Sequence, residues 1–556
     1  MDKSYKYLTV TLWFIVLIQN IVFFYCTDKS IDFCDDSFNY FLLTKSEVGY
    51  PLILYGFLSE PVISFFGLGY NKLVITGHLI LISIFTFLGI SVRKFIKIKY
   101  NKTNTSFVLP FILSIAYSNY NFQTKIAGYN TLILILAVFL ISILISIVIT
   151  QKKSLLYYTY IFTLFVTLIC ITLIKAYISF ILLIIIFFVF HYSNQSKRDY
   201  FIIFSSMVIL FLFCNFQSES INFIYDQIEA YQDLNKSSHN ISSIITSDFL
   251  SIYLIQIQGV LKSFDVLIAL LIMCRYSHSK KLYQNYIIIA LILYVYLRFY
   301  LRSYLFGGSN AAYFSSIPYL VIMISFQSYL LMVEKNKAII ILKGITIKFA
   351  IILFIVPFVL SLGSRVPITS LVTTYLFAWA LLLLVLGIHL QRKEILCYLI
   401  FIFSSTVTFQ STNALTYNYS YATFLKQPPI YNCNHKLHIN DEFGSIYVNK
   451  SQLDFISEIQ KLYLELDSLK ELKFIDISGR PGLHLFFTDR SDFHYGKYLS
   501  YNQVPYILKM FENFILNDEK ELIIHTHSND ISHLPGAVIS IKKIISSNTF
   551  LVKFKL

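Results

Sequence analysis

The feature that most constrains this chain is a series of long apolar runs that recur from near the N-terminus to about residue 409. A helix needs runs of this kind to cross the roughly 30 Å hydrocarbon core of a bilayer. They cover residues 7–25, 73–92, 106–117, 131–149, 155–174, 177–191, 201–214, 264–274, 286–301, 317–333, 338–360, 371–390 and 395–409. The pattern predicts an α-helical polytopic membrane protein with about 13 transmembrane helices.

Composition supports the same class of protein. The chain has 556 residues, of which 56% are hydrophobic and only 14% are charged. The net charge of +14 would suggest a nucleic-acid partner in a soluble protein, but after residue 411 acids and bases are equal in number. The excess of Lys and Arg therefore lies in the apolar part, where the positive-inside rule accounts for it. We expect membrane lipids around the chain and no nucleic acid.

The loops between the apolar runs give an orientation. With the N-terminus inside, every second loop is rich in Lys and Arg, as cytoplasmic loops are. These basic positions include Lys3, Lys6, Arg93, Lys94, Lys152, Lys153, Lys197, Arg198, Lys280, Lys281, Lys335, Lys337, Arg392 and Lys393. An odd number of helices then places the first loop, residues 27–72, the long loop 215–262 and everything after residue 411 on the outer face.

The chain changes character after the last apolar run. Gln427-Pro428-Pro429 predicts an extended break, and the patterning beyond it is that of a small soluble α/β domain. Strands are predicted at 444–448, 472–477, 483–488 and 522–526, a helix at 506–516, and a terminal hairpin from 537–545 and 549–554. The predicted domains are thus a transmembrane domain, residues 1–411, and an extracytoplasmic domain, residues 430–556.

The first outer loop contains the pair Asp35-Asp36 soon after a membrane span. Two adjacent carboxylates beside a bilayer are costly unless they pair, titrate or react. One acid is enough to cap a helix starting at Ser37, so the second needs another role. An aromatic residue, Tyr40, follows within five positions. Further along, a Pro-led segment from Pro51 passes Glu60 before the next span.

This arrangement resembles the GT-C superfamily of integral-membrane glycosyltransferases, in particular the branch with protein O-mannosyltransferases and lipid A aminoarabinose transferases. Those enzymes carry an Asp-Glu pair and a nearby Tyr in the first outer loop, a Pro-rich juxtamembrane segment, and a Gly followed by a basic residue at the second span. The matching positions are Asp35, Asp36, Tyr40, Pro51, Gly67 and Lys72. The second acid here is Asp instead of Glu, which leaves open which of the two corresponds to the catalytic Asp of the family.

The resemblance implies an inverting transfer of a monosaccharide from a polyprenyl-phosphate donor to an envelope acceptor, which is a lipid A, another glycan or a protein. One of Asp35 and Asp36 would act as the base, and Tyr40 and Glu60 would contact substrate. Cations near the outer side would hold the donor phosphate. The candidates are Lys72, Lys125, Arg298, Arg302 and Arg365. Arg298 and Arg302 are four residues apart and share a helix face, although snorkelling at a helix end explains them equally well.

No metal or other cofactor is expected. Oligosaccharyltransferases, also of the GT-C superfamily, hold a metal with acids of the first two outer loops, but the second outer loop predicted here, residues 117–130, contains no acid. His525 and His527 alternate along a predicted strand and would be the best metal ligands, although a polar, half-exposed strand is the commoner reading. His78, inside the second span, fits either a packing role or a cavity wall.

Two other functions fit a polytopic chain. A transporter or flippase of a lipid-linked sugar should show paired broken helices and charges at mid-membrane. An O-antigen polymerase or ligase would rely on Arg and His in a large outer loop, whereas residues 215–262 contain no Arg. All three functions place the protein in a bacterial inner membrane with a cytoplasmic N-terminus and a periplasmic C-terminal domain, where Cys26 and Cys34 are close enough in sequence to form a disulfide.

Overall fold

The structure is a computed structural model of the chain. The described residues are 3–30, 69–101, 104–122, 125–126, 128–151, 154–174, 178–179, 182–183, 185–187, 261, 264–276, 287, 290–295, 298, 316–333, 345–361, 372–387, 393–417, 430–441, 443–454, 456–457, 473–476, 494–495, 521–526, 538–546 and 549–555. Of the predicted site residues, Asp35, Asp36, Tyr40, Glu60, Arg302 and Arg365 lie outside these ranges, as does His527.

Most of the described residues before 418 are helical. The α-helices are α1 Lys3–Cys26, α2 Tyr70–Tyr100, α3 Val108–Ala116, α4 Tyr129–Ile149, α5 Leu155–Ile174, α6 Phe264–Tyr276, α7 Ile317–Val333, α8 Ile345–Ser361, α9 Phe377–Gly387 and α10 Lys393–Tyr417. Within the described ranges, α1, α2, α4 and α10 are long and apolar enough to cross a membrane. Since 201–214 lies outside the description and 177–191 and 286–301 are described only in part, the count of 13 spans stays a prediction.

Two predicted spans differ from the structure in an informative way. Residues 371–390 were expected to be one helix, but the segment begins as a 3-10 helix, Val372–Tyr375, and continues after a turn as α9. Residues 106–117 form the nine-residue α3, which passes into a second 3-10 helix, Tyr117–Phe122. Each span is therefore broken near one end. α10 differs too, since it runs to Tyr417, beyond the predicted domain boundary at 411.

The surface of α1 explains why this bundle needs a bilayer. One face, with Leu8, Leu12, Ile15 and Phe23, is buried against the bundle. The opposite face exposes large apolar side chains, which are Tyr7, Val10, Phe14, Leu17, Ile21 and Phe24. A helix that is apolar on all sides yet exposed on one is stable only where lipid covers the exposed face.

The helices around α1 pack closely. α1 lies against α10 and α3, while α2 lies between α3 and α4. Gly89 of α2 allows one of these close approaches, because a Cβ added there would lie 2.7 Å from Cδ1 of Leu109 and 3.3 Å from its Cα. Ser91 and Ser146 share a hydrogen bond of 3.2 Å between α2 and α4. Small residues and hydroxyl pairs of this kind are typical of helix contacts within membranes.

The chain beyond residue 430 contains two sheets. β1 (His435–Asn440) and β2 (Gly444–Val448) form an antiparallel hairpin. The strands β3 (Lys473–Asp476), β4 (His494–Tyr495), β5 (Glu521–Thr526), β6 (Val538–Ser546) and β7 (Thr549–Lys555) form a sheet in the order β4-β3-β5-β7-β6. β3 is parallel to β4 and β5, whereas β5–β7 and β6–β7 are antiparallel.

The strand predictions at 444–448, 472–477 and 522–526 and the terminal hairpin are confirmed. The predicted strand 483–488 and helix 506–516 lie outside the described residues, so the domain from 430 to 556 stays a prediction as a unit. His525 is the fifth residue of β5, where its backbone is paired with Asp476 and Leu551.

Candidate active site at the loop end of the bundle

The first loop leaves the bundle where α1 ends and returns where α2 begins, and we call this side of the bundle the loop end. The residues described there are 27–30, after α1, and Gly69, before α2. Asp35 and Asp36 belong to the chain between these two points. The surroundings of residues 27–30 therefore determine where the acidic pair is attached.

Lys125 is the buried cation of the loop end, with 3% of its surface exposed. Its ammonium donates hydrogen bonds to the carbonyl oxygens of Cys26 (2.8 Å) and Ser30 (3.1 Å), and also to that of Lys29. The last carbonyls of a helix have no partners within the helix and carry its negative dipole end. Lys125 thus caps α1 and binds the first residues beyond it.

The docking hairpin, β1–β2, binds the same segment from a second side. Tyr447 accepts a hydrogen bond of 2.7 Å from the N–H of Ser30 and donates one of 2.8 Å to the carbonyl of Asp28. These two bonds form a parallel bridge between residue 447 and Lys29. We call residues 28–30, Lys125 and Tyr447 together the loop clamp.

Ser30 has a backbone conformation that needs such support. Its φ angle is 57°, in the left-handed region that residues other than Gly, Asn and Asp rarely adopt. Both of its backbone groups are bound, the N–H by Tyr447 and the carbonyl by Lys125. A strained residue held from two sides is typical of segments that position a functional site.

The hairpin also contacts the point where the loop returns. The N–H of Tyr70 donates to the carbonyl of Phe443 (3.1 Å), and the two rings stack with their centroids 4.8 Å apart. Asn71 reaches the carbonyl of Ser445 at 3.4 Å. The hairpin therefore touches both ends of the first loop. Lys72, in the first turn of α2, is exposed beside these contacts.

Below the loop end lies a layer of buried and half-buried polar side chains, which we call the polar layer. Its members are Gln19, Asn20, His78, Tyr117, Tyr120, Asn121, Thr374 and Gln410. His78 is eight residues into α2, about 12 Å from its start at 1.5 Å per residue. The layer therefore lies in the half of the bundle that faces the first loop.

His78 organises one half of the polar layer. Its Nδ1 lies 2.8 Å from the Tyr120 hydroxyl, and its Nε2 lies 3.5 Å from Oδ1 of Asn20 and 3.4 Å from the hydroxyl of Tyr117. The ring stacks on Phe23 at a centroid distance of 3.8 Å. His78 is only 2% exposed. Of the two roles that the sequence allowed, the structure supports the hydrogen-bonded packing role.

Gln19 and Gln410 link the layer to other helices. Nε2 of Gln19 donates to the carbonyl of Ser114 and to the hydroxyl of Thr408, both at 3.0 Å. The hydroxyl of Tyr319 donates to Oε1 of Gln410 at 2.7 Å. These bonds tie α1, α3, α7 and α10 together at the depth of the layer.

Unlike Gln19 and Gln410, Asn121 and Thr374 form no side-chain hydrogen bond with the described residues. Asn121 has no exposed surface, and neither atom of its amide has a hydrogen-bond partner among the described residues. The Thr374 hydroxyl likewise has none there. The two belong to the two 3-10 helices, which pack on each other and are linked by a 3.1 Å bond from the Ser118 hydroxyl to the Thr374 carbonyl. Two unpaired polar groups at the contact of two broken spans are what a site for a polar ligand would offer.

Sequence reasoning missed this part of the site. Residues 117–130 were interpreted as an outer loop, and the buried 3-10 helix at residues 117–121 was not predicted within it. The signal was present as Tyr117-Ser118-Asn119-Tyr120-Asn121, a run of uncharged hydrogen-bonding side chains directly after an apolar run. Polar side chains of this kind need buried partners or a ligand.

Arg298, another predicted phosphate ligand, forms an ion pair. Its Nε lies 2.7 Å from Oδ2 of Asp265, which also accepts a 2.8 Å hydrogen bond from Tyr294. Both charged side chains are about one-third exposed. A guanidinium has five N–H donors, so this pair does not exhaust those of Arg298.

Two buried cysteines lie near the loop clamp. Cys26 is a free thiol, so the structure does not contain the disulfide with Cys34 that the sequence allows. Cys433, just before the docking hairpin, is also buried and free. Burial raises the pKa of the Cys433 thiol, and the charges of Lys125 and Lys29 oppose that shift.

Comparison with known proteins gives one structural match. Over 98% of its length the chain is similar to 98% of the chain in the crystal structure of ArnT from Cupriavidus metallidurans in the apo state, with 11% sequence identity and a TM-score of 0.41. No family model matches the chain, and no curated protein matches its sequence.

Proposed function

We propose that this protein is an integral-membrane glycosyltransferase of the GT-C type. On this proposal it moves a monosaccharide from a polyprenyl-phosphate donor to an envelope acceptor at the outer face of a bacterial inner membrane. The observation that carries the proposal is the attachment of the acidic pair. Asp35 is five residues beyond Ser30, which the loop clamp holds. Five residues of chain span at most about 18 Å. This length limits how far the acidic pair can lie from the clamped Ser30.

The chemistry needs one base and one leaving group. One carboxylate of the pair takes the proton of the acceptor hydroxyl as that oxygen attacks the anomeric carbon. The bond between this carbon and the phosphate oxygen breaks in the same displacement, and polyprenyl phosphate leaves with the electron pair. Attack opposite the leaving group inverts the anomeric configuration. The carboxylate supplies the base, so no metal enters this mechanism.

The donor phosphate needs positive charge near the loop end. Lys72 is the described candidate best suited to this role, because it is exposed in the first turn of α2, where the positive end of the helix dipole adds to its charge. Arg298 retains guanidinium donors beyond its bond to Asp265. Arg302 and Arg365 stay candidates from the sequence. The ammonium of Lys125 is already used on three carbonyls, which favours a structural role over the phosphate-binding role first proposed for it.

Tyr40 and Glu60 of the loop, together with the unpaired groups of Asn121 and Thr374, are the groups that we propose contact the sugar or the acceptor. Sugars bind through hydroxyl groups, which pair equally well with amides, hydroxyls and carboxylates. The domain from 430 to 556, on the same face as the first loop, would cover the site from the periplasm.

One observation favours a second function. The two spans that end in 3-10 helices, α3 and α9, meet at the loop end, and paired broken helices are a feature of transporters. A flippase of a lipid-linked sugar would translocate its substrate across proteoliposomes without cleaving it. A glycosyltransferase would release polyprenyl phosphate.

The test is transfer of radiolabelled sugar from polyprenyl-phosphate donors in membranes that contain wild type, Asp35→Asn or Asp36→Asn. We expect one substitution to lower transfer by about 100-fold or more, and the matched loop variant Asp32→Asn to stay near wild type. If both variants insert normally and transfer sugar as wild type does, neither aspartate is the base. If wild type transfers no sugar from any polyprenyl-phosphate donor, the glycosyltransferase proposal fails. Release of free labelled sugar without transfer to any acceptor would also contradict it.

A further inference from the structure

We propose that the loop clamp and the docking hairpin position the acidic pair, with Lys125 and Tyr447 as the positioning residues. The inference deepens the proposed function and rests on it for the role of Asp35 and Asp36. The clamp itself rests only on the described contacts. Neither residue is proposed to touch substrate.

Lys125 is buried and holds the start of the first loop. Its ammonium donates to three backbone carbonyls, those of Cys26, Lys29 and Ser30. The acceptors lie 95 to 99 residues away in sequence. A buried ammonium that is bound in this way fixes the direction in which the chain leaves α1.

Tyr447 binds the first loop through its backbone N–H and carbonyl. In an antiparallel pair, the N–H and the carbonyl of one residue point to the same side of the strand. Both groups of Tyr447 bind residues 28 and 30, so they point away from β1, although Tyr447 is paired with Lys436 there. The bonds of Tyr447 to the loop are therefore independent of the bonds that hold the hairpin together.

The docking hairpin contacts both ends of the first loop. It binds Asp28 and Ser30 where the loop starts and Tyr70 and Asn71 where it ends. Holding both ends together reduces the conformational entropy of the chain between them. A base must lie within a few tenths of an ångström of its working position, so this restriction bears directly on the carboxylates.

Two variants of the full-length protein test the inference. Lys125→Met removes the ammonium and keeps the length of the side chain. Tyr447→Pro removes the N–H that binds Asp28 without removing a bond between β1 and β2, and it keeps the test decisive where Lys125→Met fails to fold. The matched control is Lys450→Met, which removes an exposed lysine next to the hairpin.

The first readout is hydrogen exchange at the Ser30 and Tyr70 amides in detergent. We expect both clamp variants to exchange the Ser30 amide at least tenfold faster than wild type, with Lys450→Met unchanged. The second readout is steady-state transfer. A misplaced base should lower kcat by about 10- to 100-fold with KM changing less than twofold, and Lys125→Arg should restore part of kcat.

The outcomes separate the two proposals. If the Ser30 amide exchanges at the wild-type rate in folded Lys125→Met and Tyr447→Pro, the clamp is overturned. This result does not depend on the function of the protein. Faster exchange with unchanged kcat overturns the positioning role. If exchange rises as expected but wild type transfers no sugar, the clamp stands and the glycosyltransferase proposal fails by itself. If transfer occurs but neither Asp35→Asn nor Asp36→Asn affects it, the clamp stands and its role in positioning a base fails.

Discussion

The loop clamp and the polar layer are both buried groups of polar atoms at the same end of the bundle, yet they differ in how their hydrogen bonds are used. In the clamp, Lys125 donates hydrogen bonds to three backbone carbonyls. In the layer, the Asn121 amide has a partner for neither atom among the described residues. The described residues bind every member of the clamp, whereas they leave the amide of Asn121 unpaired.

This difference distinguishes a rigid region, the loop clamp, from a candidate binding region, the unpaired part of the polar layer. A buried polar network whose members are all paired stabilises one conformation. An unpaired buried amide instead destabilises the protein until something binds it. Substitutions at the two places should therefore have opposite effects on stability.

The largest effect is expected from breaking the clamp. Lys125→Met removes three hydrogen bonds from a charged donor and leaves their carbonyls buried, so we expect the free energy of unfolding to fall by about 3 kcal/mol or more. Thermal unfolding in detergent measures the change as a lower Tm. A Tm like that of wild type would show that the three bonds contribute nothing to stability, and Lys450→Met controls for the loss of a positive charge.

A smaller effect of opposite sign is expected in the layer. Asn121→Leu replaces an unpaired amide with an apolar side chain of similar size, so we expect stability to rise by about 1 kcal/mol. If Asn121 binds substrate, KM for sugar transfer should rise in the same variant. Gain of stability with unchanged kinetics would assign Asn121 to neither donor nor acceptor. As a control, the paired residue His78 should lose stability in His78→Leu, because Tyr120 would lose its 2.8 Å partner.

The smallest effect concerns Cys433, beside the clamp. Because burial raises the pKa of this thiol, the folded state favours the protonated form. Its contribution to stability is full below the ordinary pKa of a thiol and is lost as the pH rises through the raised value. Alkylation with a neutral maleimide should thus be slower for Cys433 in the folded protein than in unfolded chains at the same pH. If the docking hairpin covers the thiol, Cys433 should be alkylated faster in Tyr447→Pro than in wild type. Equal rates in the two proteins would show that the clamp does not protect the thiol.

Sequence patterns predicted the helical bundle well because long apolar runs determine where helices cross a bilayer. α5 and α7 have the predicted bounds. The break between Val372–Tyr375 and α9 was not predicted, since no Pro or Gly separates the two and the pair Thr373-Thr374 is a weak signal within an apolar run.

The candidate site was predictable only through its charges. The acidic pair and Lys72 were visible as charged residues at the edges of spans. The polar layer consists of uncharged side chains within or next to apolar runs, which hydropathy hardly registers. The role of Lys125 depends on contacts with residues almost a hundred positions away, and a single sequence contains no record of such contacts.

The docking hairpin has a consequence for the biogenesis of the protein. The first loop is made early, but its partner Tyr447 follows on the order of 400 residues later. At 5 to 20 residues per second, synthesis of that stretch takes roughly 20 to 80 s. Throughout this interval Ser30 lacks one of its two backbone partners. A nascent chain that has inserted every helix would still lack the contact that closes the loop clamp, and synthesis of the docking hairpin would complete it.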